Sequence, residues 1–286
     1  GCRPMKIEEL SKRWEPELPL LRCPKCGADF TLERGQFRCG SGHCYDLSAK
    51  GYVNLAPSHD QKKEKYDASL FEARSRIFAD GFYRPVLEAV CGMLERRFGD
   101  STFTLADVGC GEGYYCAGLA RRFPGAACFG VDLSRDGIQR AARNREACWM
   151  VADLKRLPFR PSGMDVVLDV LTPADYQAFS SVLGQRGVLI KAIPGADYLK
   201  EIRALFRDRL RNPDYDNERV IRHLEEHGEI LEHATVRCEF PLDERQSSDF
   251  LCMTPMTFSI PEEIRREKRL EKITVHMEIY MAKVKG

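Results

Sequence analysis

Residues 104–114 read Thr-Leu-Ala-Asp-Val-Gly-Cys-Gly-Glu-Gly-Tyr, an apolar run that closes on Asp107 and Val108, passes through three glycines and opens a helical pattern at Tyr114. A strand at 103–108 feeding a helix at 114–122 through a glycine-rich turn is the start of a strand–helix–strand crossover. Outward from it the alternation continues. Strands are expected at 127–131, 148–152, 165–170 and 187–193, with helices at 135–144 and 175–183. Such alternation specifies an α/β fold, a mainly parallel sheet with helices on both faces. Upstream, Leu70, Ala73, Ile77 and Phe78 fall at helical spacing from about residue 67, and 83–98 repeats the pattern after Gly81. Downstream, a helix is expected at 199–211, a strand at 234–240, helices at 247–253 and 262–272, and a strand at 273–284. The last two strands suit an antiparallel hairpin at the sheet edge.

The glycine turn also selects a ligand class. A dinucleotide site would show GxGxxG, whereas this chain has Asp107 followed by Gly109, Gly111, Glu112 and Gly113. A carboxylate at the strand end repels a phosphate and suits a ligand carrying an ammonium group, and S-adenosylmethionine is such a ligand. Gly109 and Gly111 let the backbone approach it. Asp132, about 20 residues on and followed by Leu133, is placed to accept the ribose hydroxyls. Asp153 and Leu154 end the third strand and are candidates for the adenine amino group and ring face, with helix capping the plainer reading of Asp153. Asp169 ends the next strand, beside the switch point where open α/β sheets admit substrates.

A second motif lies nearer the start. Cys23-Pro-Lys-Cys26, a twelve-residue spacer and Cys39-Gly-Ser-Gly-His43 give CxxC followed by CxxxH. Four thiolate or imidazole ligands on two short knuckles suit a closed, structural zinc site. Cys44 is the rival to His43; Gly40 and Gly42 favour the tighter loop that uses His43. The expected organisation is a polar extension at 1–19, a zinc-binding module at 20–57, a polar linker at 58–66 and the main domain at 67–286. With Gly1 in place of a methionine, the first few residues are given no weight.

Composition bounds the rest. The 286 residues are 43% hydrophobic and 30% charged, with a net charge of +1, so charge patches and not the total must decide about polyanionic partners. No apolar stretch approaches the roughly 20 residues of a membrane span, and 5–18 is too polar for a secretory signal. Twelve cysteines scattered through core-like segments point to a reducing, cytoplasmic compartment. The sequence leaves the oligomeric state open, a homodimer included.

Taken in order, the cysteine motif, Gly51-Tyr-Val-Asn-Leu55, Glu72-Ala-Arg74, Gly81-Phe-Tyr83-Arg-Pro85, the glycine loop with Tyr114 and Tyr115, Phe129-Gly-Val-Asp-Leu-Ser134, Leu157-Pro-Phe159, Pro194-Gly195 and Met253-Thr-Pro255 resemble the bacterial 23S rRNA guanine-N1 methyltransferases. The resemblance spans residues 20–258. It implies a Rossmann-like class I methyltransferase sheet preceded by a zinc module, with a cleft between them for an rRNA hairpin. It also implies cofactor contacts from the glycine loop, Tyr83 and Tyr198. Ala196-Asp197 after Pro-Gly, and Val170-Leu-Thr-Pro173 after Asp169, depart from the family's usual residues, which bears on the choice of guanine. Methylating N1 requires removal of its proton, for which Asp169 is the candidate acceptor with Thr172 shaping the pocket; capping the next turn is the plainer role for Asp169. A small-molecule or protein methyltransferase would not need the zinc module, and an RNA-binding protein that had lost catalysis would not need an intact loop.

Overall fold

The computed structural model describes residues 6–63 and 68–286. The first residues of the extension, the last part of the expected linker and the expected helix start at 67 lie outside the described residues. The N-terminal part consists of α1 (Ile7–Trp14), a 3-10 segment (Glu15–Leu20), an antiparallel sheet of β1 (Phe30–Glu33), β2 (Gln36–Cys39) and β3 (Cys44–Asp46), and then β4 (Tyr52–Asn54). Next come α2 (Ala68–Ala79), α3 (Arg84–Phe98), β5 (Thr104–Val108), α4 (Tyr114–Arg122), β6 (Ala127–Asp132), α5 (Arg135–Ala141), β7 (Cys148–Val151) and β8 (Met164–Val170). The chain continues through α6 (Tyr176–Val182), β9 (Leu183–Pro194), α7 (Lys200–Leu205), α8 (Glu218–His227) and β10 (Gly228–Pro241). It finishes with α9 (Glu244–Met253), α10 (Glu262–Arg266) and β11 (Lys272–Val284).

The main sheet has the order β10-β11-β9-β8-β5-β6-β7-β4. Every neighbouring pair from β4 to β9 is parallel, and β11 runs antiparallel to both β9 and β10. The expected edge hairpin is therefore present, with β11 inside and β10 outermost. Continuous burial along β7 and nearly all of β5, β6 and β8 reflects helices covering both faces, as crossover connections demand. By contrast β10 alternates exposed and half-buried residues, as an edge strand with one wet face does. Local chemistry starts several helices: Ser134 Oγ accepts the Gly137 N–H, Asp175 accepts that of Ala178, and Asp243 with Gln246 forms a capping box on α9.

Several elements differ from the expectations. The helix expected at 199–211 ends at Leu205, because Phe206 leaves helical backbone geometry and Arg203 turns inward. The charged helix expected at 262–272 is a single turn, since Leu270 is drawn into the core and gives its N–H to Ser247 Oγ. Both β9 and β10 begin several residues earlier than expected, and α1 and α8 were not expected at all. Residues 52–54, grouped with the zinc module by composition, form the outermost parallel strand of the main sheet, with Tyr52 opposite Trp149.

The N-terminal module is fastened to the sheet by more than that strand. Leu21 pairs with Phe159, the Arg22 N–H reaches Pro158 O, and the Arg160 N–H reaches Leu20 O. Trp14, Phe37 and Phe30 stack edge to face in a core continuous with Phe129 and Met150 of the main sheet. Gln61, in the expected linker, donates to Leu133 O and accepts the Arg135 N–H, which ties that segment to the turn after β6.

Trp149 is the ring on which the glycine loop rests. Its Nε1 donates to Asn144 O at 2.9 Å, which fixes the indole, and a Cβ at Gly113 or Gly130 would overlap it. Gly130→Ala should therefore overpack this site and lower stability by about 1–3 kcal/mol, whereas Gly125→Ala, which meets only ordinary contact, should stay within about 0.5 kcal/mol. Urea-unfolding midpoints decide this, and equal midpoints for the two variants would contradict the fixed ring.

Candidate active site and metal centre

The chain winds outward from β5 through β6 and β7, then returns to β8 on the other side of β5. The crevice at the carboxyl ends of β5 and β8 is thus the switch point of the sheet. Here the Gly109 and Cys110 N–H groups both donate to Val131 O, at 2.8 and 3.1 Å. The Asp132 carboxylate accepts the N–H of Gly111 at 2.8 Å and that of Ser134 at 2.8 Å. Gly109, Gly111 and Gly113 all have positive φ, and a Cβ at Gly109 would overlap Thr172. The loop is consequently held open around a cavity of about 310 Å³.

Asp107, Gly109, Gly111, Asp132, Leu154, Tyr83 and Tyr198 line this cavity, all of them expected from the sequence. The Tyr83 and Tyr198 hydroxyls are 2.6 Å apart. Asp107 is 2% exposed, and its Oδ2 is buried without a hydrogen-bond partner among the described residues. Burial, reinforced by the charges of Asp132 and Asp169, pushes its carboxyl up to about 8. An orphaned buried carboxyl oxygen beside a glycine cradle fits a ligand that brings its own ammonium group.

Four expected cofactor residues are placed elsewhere. Glu112 accepts from Ser75 of α2 at 2.7 Å, and Gly113 caps α4 against Trp149. Leu133 gives its carbonyl to Gln61, and Asp153 is exposed and accepts the Lys155 N–H in a local turn. None of the four lines the cavity. Its outer wall comes instead from Phe71, Arg74 and Phe78 of α2. Their spacing of three and four residues marks one helix face, a signal available in the sequence but indistinguishable there from core packing.

A second cavity, of about 900 Å³, adjoins the first and shares Leu171, Thr172, Tyr198, Met253 and Pro255 with it. Behind the shared wall lies a buried ion pair: Lys191 Nζ is 2.8 Å from Asp169 Oδ2 and donates to Thr172 O at 3.0 Å, while Asp169 Oδ1 accepts the Thr172 N–H. Burial raises the Asp169 carboxyl to about 6, even against Lys191 and the Thr172 N–H, both of which favour its charge. Asp169 is fully buried, both oxygens are engaged, and it lines neither cavity. In this geometry Asp169 has the turn-capping role that the sequence also allowed, and together with Lys191 it grips Thr172 from both sides. Lys191 was missed because a lone lysine in an apolar run carries no spacing signal.

The second centre joins β2 and the two knuckles. The Cys23, Cys26 and Cys39 sulfurs and a His43 ring nitrogen all lie within 4.8 Å of one another. Individual separations are 3.5 Å for Cys23 to His43 Nδ1, 3.4 Å for Cys39 to His43 Nδ1 and 3.6 Å for Cys26 to Cys39. Zinc with bonds of about 2.3 Å to sulfur and about 2.0 Å to nitrogen places tetrahedral ligand atoms roughly 3.5–3.8 Å apart, so this set fits it. Cys44 is exposed, and its thiol points to Gly42 O outside the cluster. The Arg-rich stretch after Tyr198 is partly structural: Arg203 is buried and donates to Tyr198, Ala196 and Pro213 carbonyls, and Arg207 pairs with Asp214.

Comparison with known proteins agrees with both centres. Residues 105–183 match a methyltransferase-domain family model, and residues 21–65 match one described as RlmA, N-terminal. A chain from the solved complex between the Haloferax volcanii Trm112 methyltransferase activator and a methyltransferase superposes with a TM-score of 0.51 at 16% identity, covering 78% of this chain and 99% of that one. The fold is that of the class I methyltransferases. A Streptomyces fradiae 23S rRNA (guanine(748)-N(1))-methyltransferase is 29% identical over 86% of this chain and 89% of its own length. A Bacillus subtilis protein provisionally named 23S rRNA (guanine-N(1)-)-methyltransferase YxjB is 34% identical, covering 92% of this chain and 96% of that one. With similarity of that extent running through the zinc module and the glycine loop alike, the chain belongs to the 23S rRNA (guanine-N1-)-methyltransferase family.

Proposed function

We propose that the protein transfers a methyl group from S-adenosylmethionine to N1 of a guanine in a 23S rRNA hairpin, in the cytoplasm. The observation that carries the reading is the unanswered Asp107 Oδ2 at a glycine-walled cavity that opens past Thr172 into a second cavity of about 900 Å³. Among the described residues no helix is long and apolar enough to cross a membrane.

S-adenosylmethionine supplies an activated methyl group with its own leaving group, so the chain contributes alignment and a shaped, largely dry site. Asp107 holds the ammonium, Gly109 and Gly111 admit the methionine and ribose, and Asp132 takes the ribose hydroxyls while still bracing Gly111. Leu154 lies on the adenine face, and Tyr83 with Tyr198 closes the pocket. Asp169 and Lys191 act as positioning residues, fixing Thr172 at the passage between donor and acceptor cavities. Guanine N1 is protonated and normally paired, so the target enters unpaired or flipped, and its N1 proton leaves to solvent water through the acceptor cavity as the methyl group is taken up. Cys23, Cys26, Cys39 and His43 hold zinc with no open coordination position, which makes the ion structural.

Metal analysis should find one zinc per chain. His43→Ala should lose it and Cys44→Ser should retain it; the opposite pattern would reassign the fourth ligand.

The Asp107 carboxyl ionises near 3.8 in the unfolded chain and only near 8 in the fold. Between those values the folded state holds a proton that the unfolded state has lost, so this group's contribution to stability declines as pH rises from about 4 to about 8. Asp107→Asn should therefore gain stability relative to wild type across that range. At pH 7 the cofactor's ammonium should displace about one proton from wild-type Asp107, measured by calorimetry in buffers of different ionisation enthalpy. Equal proton release from wild type and Asp107→Asn would remove Asp107 from the ammonium site.

The substrate is tested with undermodified 23S rRNA and radiolabelled cofactor, mapping the product by primer extension. A single strong stop at a hairpin guanine, with transfer falling steeply as salt rises, is expected. Transfer to a protein or small molecule at flat salt dependence, with rRNA unmodified, would replace rRNA as the substrate.

A further inference from the structure

Three aromatic rings meet beyond the Thr172 passage. Tyr176, at the start of α6, stacks on His227 with centroids 4.6 Å apart and planes 9° apart, and meets the His223 ring at 5.0 Å. His223 and His227 lie one helical turn apart on α8 with ring centroids 4.4 Å apart. The cluster borders two hollows. Tyr176 and His223 line the 900 Å³ acceptor cavity, and all three rings line a neighbouring cavity of about 490 Å³ that reaches Leu154 at the cofactor site.

The surroundings favour an anionic, flat-ringed ligand. Lys155 lines the smaller hollow beside Asp175, whose carboxylate caps α6 through the Ala178 N–H, and Arg219 and Arg222 line the larger one. Among the described residues none of these three cations makes an ion pair, and Glu226 is the one acidic side chain in the wall of the larger cavity. Three large apolar side chains stand well exposed among the described residues, and two of them, Leu171 at 44% and Val220 at 36%, lie in that same wall. Leu171 also has φ +59°, an unfavourable backbone for leucine, and the grip on Thr172 holds it there. Tyr176 is 6% exposed, and its hydroxyl is buried without a hydrogen-bond partner among the described residues. A ring cluster built only for packing would leave that hydroxyl at a standing cost.

We propose that the Tyr176–His223–His227 cluster, with Lys155, Arg219 and Arg222 beside it, is a stacking subsite for a nucleotide adjoining the methylated guanine. The inference rests on the rRNA reading above and adds where the flanking RNA is held. Aromatic faces accept any base, and unpaired arginines and lysines neutralise the backbone phosphates. The site therefore contributes to RNA affinity and to seating the guanine, with little effect on cofactor binding.

The test compares full-length wild type with His223→Ala/His227→Ala, His223→Phe/His227→Phe and Arg219→Gln/Arg222→Gln on the same undermodified 23S rRNA. The alanine pair should raise the KM for RNA about tenfold while leaving the S-adenosylmethionine Kd within about twofold. The phenylalanine pair, which keeps the flat rings, should restore most of that loss. The glutamine pair should flatten the plot of log KM against log salt by about 1.4, from about 0.7 per single-strand phosphate contact. An unchanged KM for RNA in the alanine pair, with wild type active on rRNA, overturns the subsite and leaves the rRNA reading intact. Equal losses in the alanine and phenylalanine pairs also overturn it, because stacking would then not be the cause. Wild type inactive on rRNA overturns both.

Discussion

Three carboxylates, Asp107, Asp132 and Asp169, stand at one edge of a buried parallel sheet, and the site depends on how each is answered. Neighbouring parallel strands bring their carboxyl ends together, so β5, β6 and β8 set these acids in one crevice where their charges repel. Asp132 is answered by two backbone N–H groups of the loops it joins, and Asp169 by Lys191 and the Thr172 N–H. One oxygen of Asp107 has no hydrogen-bond partner among the described residues. Two of the acids thus shape the walls, and the third is left with a demand for positive charge that a ligand can meet. The raised ionisation of Asp107 is the electrostatic expression of that arrangement.

The cavity above these acids exists because glycines let rings and loops come close. Gly109 makes room for Thr172, and Gly113 and Gly130 make room for Trp149. Trp149 sits opposite Tyr52 of β4, so the strand leading out of the zinc module and the loop bordering the cavity share one fixed ring. Together with the Leu21–Phe159 pairing and a continuous apolar core, this makes the module part of the main body. Zinc supplies the folding free energy that such a short, loop-rich segment cannot draw from its own core.

The two cavities meet at Leu171 and Thr172, and this junction is where structural stability and function draw on the same contacts. A buried ion pair is seldom a strong source of stability, since desolvation offsets its attraction. Here the pair has a positional consequence: it grips the Thr172 amide from both sides and keeps Leu171 in a backbone conformation it would otherwise avoid. On the far side of the acceptor cavity, α8 adds His223, Arg219 and Arg222, which face the same space.

Short-range spacing carried most of what was legible along the chain. The strand–glycine–helix unit at 103–122 and the alternation after it specified the parallel sheet, because burial on both faces imposes apolar runs and crossovers impose helices between them. The CxxC and CxxxH spacings narrowed the metal-ligand set to Cys23, Cys26, Cys39 and one of His43 and Cys44, because two knuckles need only a few residues each; the fold sets His43 in the cluster and leaves Cys44 outside it. Tyr83 and Tyr198, which line the cofactor cavity, were legible only through resemblance. Contacts between distant segments were decided by tertiary structure. Nothing local distinguishes Lys191 from a solvated lysine until β9 pairs with β8 and sets it against Asp169, and nothing local turns Glu112 toward Ser75. Residues 52–54 read as part of the zinc module until β7 supplied the hydrogen bonds that make them a strand of the main sheet. Likewise α8, charged along most of its length and with only Leu224 fully buried, had too narrow an apolar stripe to stand out before packing placed it over the acceptor cavity. Spacing along a chain records local geometry, whereas the partner of a buried charge or an exposed ring is known only once the chain has folded back upon itself.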